Sequence, residues 1–331
     1  MPVELSPQTP DLEKRQQPST LMRDLIAMAR PDHWFKNIFM LPGLALALIL
    51  SPETSFGVAV GSFALALVST CLLASANYTI NEWLDATYDR HHPLKHARPS
   101  AAGRVTARHA YTQWAILAAA GLGIAFLLPK NFVVVSLIFL LMGVLYNVPP
   151  VRTKDIPYVD VLSESLNNPL RLLLGWCAIV PTILPPSSAL LAYWMGGAFL
   201  MGVKRYAEFR FIADPDKAAR YRRSFRHYTE DSLLQSCFFY ALTSALFLGI
   251  FMIKYRIELL LSLPFLALLF VWYLRIGMRA NSVTQRPERL YTEKKFVVFT
   301  VFLAILIGVL FAVDIPWLED MFVRHYVVLE L

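Results

Sequence analysis

Residues 57–89 read GVAVGSFALALVSTCLLASANYTI followed by NEWLDATYD, and this stretch decides the fold class. Positions 57–80 carry no Asp, Glu, Lys or Arg. An uncharged apolar run of about 18 or more residues reads as a transmembrane helix. Stretches 172–203, 232–253 and 296–313 are equally bare. Across the 331 residues, 56% are apolar and 17% charged, below the quarter or so usual in soluble domains. A soluble globular enzyme is excluded. Cys71, Cys177 and Cys237 all lie inside apolar runs with no CxxC or metal spacing, which excludes a disulfide scaffold. The chain reads as an all-α, polytopic membrane protein.

Working outward from 57–80, apolar segments suggest about nine spans: 34–51, 56–80, 110–128, 131–148, 159–180, 187–203, 232–253, 257–274 and 295–313. Pro181 and the Pro185–Pro186 pair separate the fifth from the sixth. With a cytoplasmic N-terminus, loops 81–109, 149–158, 204–231 and 275–295 hold 21 Lys plus Arg, against Lys130, Lys254, Arg256 and Arg324 outside. That asymmetry predicts N in and C out, in the cell inner (plasma) membrane. The net charge of +7 therefore reports topology and phospholipid contact, not nucleic acid. The enlarged loops after the second and sixth spans suggest two four-helix halves plus a ninth helix. Residues 1–30 form a polar segment, without a signal-peptide core and so expected to be retained. It ends in an interfacial helix (21–30) that places Leu21, Met22, Leu25, Ile26 and Met28 on one face. Residues 31–313 form the membrane domain and 314–331 a short tail.

Three polar constellations carry candidate chemistry. Asn81, Asp85 and Asp89 are spaced i, i+4, i+8, so their oxygens share one helix face. Such hard ligands suit Mg2+, which takes one or two carboxylates plus substrate phosphates. Lys95 and Arg98 follow in HPLKHARPSAAG and can neutralise phosphate oxygens that a metal leaves uncovered. Solvated interfacial ion pairs are the bland alternative. Adjacent His91 and His92 cannot share a helix face, which argues against zinc.

The second constellation joins Tyr146, Arg152 and Lys154 to Asp160, Glu164, Asn167, Asn168 and Arg171. Arg171 lies inside an apolar run, where an ionisable group is costly and points to function or a buried pair. Its spacing names Glu164 as counter-ion. The third is Lys204 with Glu208 at the inner end of the sixth span. The run 217–226 (KAARYRRSFR) is expected to contact lipid headgroups, with cover of a phosphate site as the alternative.

At these residues the chain resembles the UbiA-type intramembrane prenyltransferase superfamily, over roughly residues 30–310. Arg30-Pro31-Asp32-His33-Trp34-Phe35-Lys36-Asn37, Asp89-Arg90-x-His92-Pro93-x-Lys95-x-x-Arg98-Pro99, and Lys204-Arg205 with Glu208 look most like its polyprenyl-phosphate (decaprenyl-phosphate) phosphoribosyltransferase branch. Glu82 stands where the superfamily motif has Asp. The second DxxxD is absent, with Lys204, Arg205 and Glu208 in its place. The run Tyr146-x-x-Pro149-Pro150-x-Arg152-x-Lys154 looks instead like the prenyl-diphosphate-using branches.

The resemblance implies a UbiA-like helical bundle and a Mg2+-dependent transferase whose partners are the bilayer, an isoprenoid lipid and a diphosphate donor. Asp85 and Asp89 are then catalytic, and Asn81, Asp85 and Asp89 hold the metal. Lys95, Arg98, Tyr146, Arg152, Lys154, Arg171, Lys204 and Glu208 bind substrate. The favoured reaction is phosphoribosyl transfer from phosphoribosyl diphosphate to a polyprenyl phosphate. Prenyl transfer to an aromatic or other small acceptor is the alternative, and a non-enzymatic transporter a third class. A homo-oligomer is compatible with all three.

Overall fold

The computed structural model describes residues 21–50, 55–90 and 95–323, and every regular element among them is helical. His91 and His92 lie outside the described residues, as do 1–20 and the end of the tail. The chain runs through α1 (Leu21–Ala29), a 3-10 segment Pro31–Met40, α2 (Leu41–Leu50), α3 (Phe56–Asp89), α4 (Ala107–Ala125) and α5 (Lys130–Asn147). It continues through α6 (Val159–Ser165), α7 (Asn167–Cys177), α8 (Ser187–Ile212), α9 (Pro215–Tyr221), α10 (Glu230–Tyr255), α11 (Leu263–Gly277), α12 (Lys294–Ala312) and α13 (Pro316–Val323).

Among the described residues, five helices are long and apolar enough to cross a bilayer: Gly57–Asp89, Lys130–Asn147, Glu230–Tyr255, Ile257–Gly277 and Lys294–Ala312. The other four expected spans are helical but differ in kind. The first is a 3-10 helix running into α2, and the fifth is two helices. The third is α4, with Arg108 and His109 in its first turn, and the sixth runs on through Lys204 to Ile212. The chain is an integral membrane protein, with exposed Val58, Phe238, Leu246, Val298 and Ile305 on the outer faces of its long helices. An unbroken α3 of 34 residues is roughly 50 Å long, against about 30 Å of hydrocarbon. Its last turns therefore project past the apolar layer with Asn81, Asp85 and Asp89 on them.

The expected continuous helix over 159–180 is broken at Leu166. Pro169 has no N–H for the Ser165 carbonyl, while Asn167 Nδ2 donates to the Glu164 carbonyl at 2.9 Å. The break divides the segment between two apolar cores. Leu170, Leu174 and Trp176 of α7 join Leu73, Phe132 and Phe139 in the first. Val161 of α6 joins Phe199, Tyr240, Tyr273 and Phe296 in the second. Helices α2 and α7 meet backbone to backbone through reciprocal glycines. A Cβ on Gly43 would lie 1.9 Å from the Leu172 carbonyl oxygen, and one on Gly175 2.1 Å from that of Met40. No side chain can move aside there, so only glycine permits this approach.

The apolar face expected of the first helix is split. Leu25 and Met28 pack against Trp83, Val105 and Ala110, while Leu21, Met22 and Ile26 face outward. Asp24 turns inward to Arg104 Nε at 3.1 Å, which fastens α1 to the loop carrying Lys95 and Arg98.

Candidate active site

Because α3 stays helical to Asp89, the i, i+4, i+8 spacing holds and Asn81, Asp85 and Asp89 line one cavity of about 540 Å³. Helix α5 ends beside them. Asn147 Oδ1 accepts from Asn81 Nδ2 at 2.5 Å and from Lys154 Nζ at 2.7 Å. The connection then turns through Pro149–Pro150, and Arg152 takes a left-handed φ of 26°. That turn returns two cations to Asp85 Oδ1: Arg152 Nη2 at 2.9 Å and Lys154 Nζ at 2.5 Å. Asp89 accepts from Arg98 Nη1 at 2.6 Å. Lys95 donates to the Tyr221 hydroxyl, with its ammonium 4.6 Å from that ring's centroid.

A second ionic group lies on α6 and α8. Glu164 accepts from the Tyr146 hydroxyl at 2.8 Å and from Arg205. Arg205 Nη1 also reaches Glu208 at 2.9 Å, and its Nε is 3.5 Å from Asp160. Asp160 further accepts from Arg222 Nε at 3.2 Å, Ser224 Oγ at 3.1 Å and Tyr228 OH at 2.7 Å. The carboxylates of this half are therefore already engaged by arginines.

All eleven site residues expected from the sequence line this one cavity. Two expectations are corrected. Glu164 is not the partner of Arg171, because the break at Leu166 takes the two residues off a common helix face. Arg171 Nε donates instead to Asn37 Oδ1 at 3.0 Å, and its guanidinium lies 5.2 Å from the Phe139 ring centroid. The run 217–226 does not simply face lipid: Tyr221, Arg222 and Arg223 line the cavity, and Arg222 Nη2 donates to Tyr146 OH at 2.8 Å. The sequence reading also passed over Arg30, Lys36, Asn147 and Arg205 as ligands. Arg205 looked like a positive-inside anchor, and nothing in a basic run marks which arginine turns inward.

The lining counts eleven Arg and Lys (30, 36, 95, 98, 152, 154, 171, 204, 205, 222, 223) against five Asp and Glu (85, 89, 155, 164, 208), an excess of six positive charges. Its remaining wall is apolar, with Phe35, Ile38, Phe39, Phe139, Leu200, Leu269 and Phe296. Among the described residues no group of three or more His, Cys, Asp or Glu could hold a metal. A divalent ion would therefore take Asp85, Asp89 and the Asn81 amide oxygen, and complete its shell from substrate oxygens. Mg2+ accepts such a set, so these residues fit it.

Burial pushes the Lys95 ammonium down to about 8 and does the same to Lys154, also to about 8. Lys95 must hold its proton to bind a phosphate oxygen, and Lys154 must hold its own to keep Asp85 in place. Rising pH through about 8 removes that charge, so the apparent KM for a diphosphate donor is expected to climb there. Saturating donor holds the protons on, so kcat moves less. A pH profile from about 6.5 to 9.5 checks this. Lys95→Arg, which stays charged, should flatten the rise, and a pH-independent KM in the parent protein would count against phosphate contact by Lys95.

The UbiA prenyltransferase family pattern matches residues 38–299 of the chain. The decaprenyl-phosphate phosphoribosyltransferase of Mycolicibacterium smegmatis is 31% identical over 217 residues, 65% of this chain and 66% of that protein. The Mycobacterium tuberculosis protein of the same name is 32% identical over 219 residues, 66% of this chain and 70% of that one. The matches thus span about two thirds of these relatives' length. In fold, the chain superposes on a UbiA homolog from Archaeoglobus fulgidus bound to GPP and Mg2+. The TM-score is 0.65 at 20% identity, covering 88% of this chain and all of the other. By this match over most of its length, the chain belongs to the UbiA prenyltransferase family and is an integral membrane transferase of that family.

Proposed function

We propose that the protein transfers a phosphoribosyl group from phosphoribosyl diphosphate to a long polyprenyl phosphate that enters from the bilayer. The cavity's charge carries this reading. Phosphoribosyl diphosphate plus a lipid phosphate bring roughly seven negative charges, which the excess of six positive charges and one Mg2+ balance closely. A prenyl diphosphate alone brings roughly three, leaving much of that excess unmatched. The names of the mycobacterial relatives support the same choice.

In this reading Asn81, Asp85 and Asp89 hold Mg2+, while Lys95, Arg98 and Lys204 bind phosphate oxygens. Bound Mg2+ supplies charge stabilisation for the leaving diphosphate and helps fix its geometry. Arg152 and Lys154 orient Asp85. As diphosphate departs, its C–O bond breaks and the sugar carbon becomes oxocarbenium-like. An oxygen of the lipid phosphate then forms the new C–O bond. No strong general base is required, since the acceptor is already anionic. The loops bearing this site carry the excess of Lys and Arg, which supports a cytoplasmic face.

The second reading is prenyl transfer, favoured by the Arg152 and Lys154 pair on Asp85, which could equally face a lipid diphosphate. A donor swap on detergent-purified protein with Mg2+, read by lipid mass spectrometry, separates the two. Phosphoribosylated lipid is the expected product. Prenylated small acceptor alone would replace the first reading with the second.

A further inference from the structure

Four cations lining the cavity away from the α3 carboxylates have no carboxylate ion pair among the described residues: Arg30, Lys36, Arg171 and Lys204. Lys95 has none either, but it donates to the Tyr221 hydroxyl and lies close enough to Asp89 to be drawn by its charge. Nearer the α3 carboxylates, Arg98, Arg152 and Lys154 are all ion-paired. The four gather around Tyr78, one turn before Asn81 on α3. Arg30 Cζ lies 6.0 Å from the Tyr78 ring centroid and Lys36 Nζ 5.6 Å. Arg171 and Lys204 both lie within electrostatic reach of the Tyr78 hydroxyl, and Lys204 is close enough to repel Lys36. The carboxylates nearest the lysines, Glu164 and Glu208, attract them only at a distance and are themselves ion-paired to Arg205. Lys36 Nζ sits 3.1 Å from His33 Nδ1, and Lys204 has no hydrogen bond or ion pair among the described residues.

Like charges gathered in a water-poor site repel one another and lose hydration, so the arrangement calls for an anion. The same 3-10 segment that carries Lys36 also sends Phe35, Ile38 and Phe39 to the cavity wall, and Ile38 is 59% exposed toward the outside. A ligand held here therefore meets charge at its head and hydrocarbon along its body.

We infer that Arg30, Lys36, Arg171 and Lys204 form a second anion subsite, separate from the α3 carboxylates, which takes the phosphate head of a long-chain isoprenoid phosphate. Only the naming of that lipid as the acceptor rests on the phosphoribosyl-transfer reading; the binding itself does not. Charge balance explains the arrangement: the Asp85–Asp89 side needs a divalent cation to hold its anion, whereas the Tyr78 side is cationic already. Binding of the lipid head is accordingly independent of Mg2+. The phosphate on a soluble sugar presents the same head without the hydrocarbon, and the experiment separates the two.

Dissociation constants are measured on the full-length protein in nanodiscs, without Mg2+ or donor, for a polyprenyl monophosphate and for ribose 5-phosphate. The variants are Lys36→Gln, Lys204→Gln, Lys36→Arg, Lys204→Arg and Asp85→Asn. The parent protein and Asp85→Asn should bind the lipid phosphate equally. Each Lys→Gln change should weaken it at least about tenfold, the order of one charge-assisted hydrogen bond. Each Lys→Arg change should retain most of the affinity, which separates charge loss from misfolding. Unchanged lipid affinity in both Gln variants would overturn the subsite. Loss of ribose 5-phosphate binding with lipid binding intact would overturn it too, by giving the subsite to a soluble sugar phosphate. Because no turnover is read, a failure here differs from a failure of the donor swap.

Discussion

Replacing Asp85 with Asn is expected to lower kcat/KM at least about a thousandfold, ~4 kcal/mol of transition-state stabilisation, while thermal unfolding shifts by less than about 3 °C. The substitution keeps size and shape and removes one negative charge. Its two cationic partners are not stranded. Arg152 keeps Asp155 at 3.1 Å and the Asn147 carbonyl at 3.0 Å, and Lys154 keeps Asn147 Oδ1 at 2.7 Å. What is lost is a hard anionic oxygen in a set that holds only one other carboxylate, Asp89. An amide oxygen is a far weaker partner for a divalent cation bound to phosphate. Steady-state kinetics beside a melting curve on the same preparation decide the matter. Activity near the parent level would remove Asp85 from the metal set.

The largest effect on stability is expected from Arg205→Met. Arg205 is 2% exposed and bridges Glu164, Glu208 and Asp160 from one guanidinium. Breaking a buried pair by removing one partner costs about 3–5 kcal/mol, because the charge left behind is uncompensated. Here two acids lose their main cation: among the described residues Glu164 keeps only the Tyr146 hydroxyl at 2.8 Å and Glu208 keeps no other ion pair, whereas Asp160 retains Arg222, Ser224 and Tyr228. A fall in melting temperature of roughly 10 °C follows. Adding Glu164→Gln and Glu208→Gln should recover part of it, since the stranded charges are then gone. Arg210, whose partner Glu230 at 3.3 Å is itself largely exposed, is the control; its Met variant should cost about 1 kcal/mol or less. A melting temperature unchanged by Arg205→Met would show that water reaches this cluster freely.

The cavity explains why these two arginines differ although both lie on α8 and both look like topology signals in the sequence. Arg205 turns inward between α6 and α8, where every acid it meets comes from elsewhere in the chain or from the next helical turn. Arg210 sits near the helix end, where it pairs with Glu230 and the Met278 carbonyl at 2.9 Å. Charge count alone does not distinguish them; position relative to the neighbouring helices does.

The bundle, its apolar segments and the shared face of Asn81, Asp85 and Asp89 were legible in the sequence. Each depends on local properties, namely uninterrupted apolarity and a fixed 100° step per residue along one helix. The partners across helices were not. Glu164 and Arg171 would share a face on a continuous helix, but Pro169 leaves Ser165 without a donor and the helix breaks at Leu166, so Arg171 goes to Asn37 and Glu164 to Arg205. Likewise the basic run 217–226 carries no period that marks Tyr221 and Arg222 as cavity-facing. The sequence determined which stretches are apolar and helical and that Asn81, Asp85 and Asp89 share one helix face, because those follow from neighbours along the chain. Only the tertiary structure decided which charges meet, because that depends on how separate helices rotate, break and close on one another.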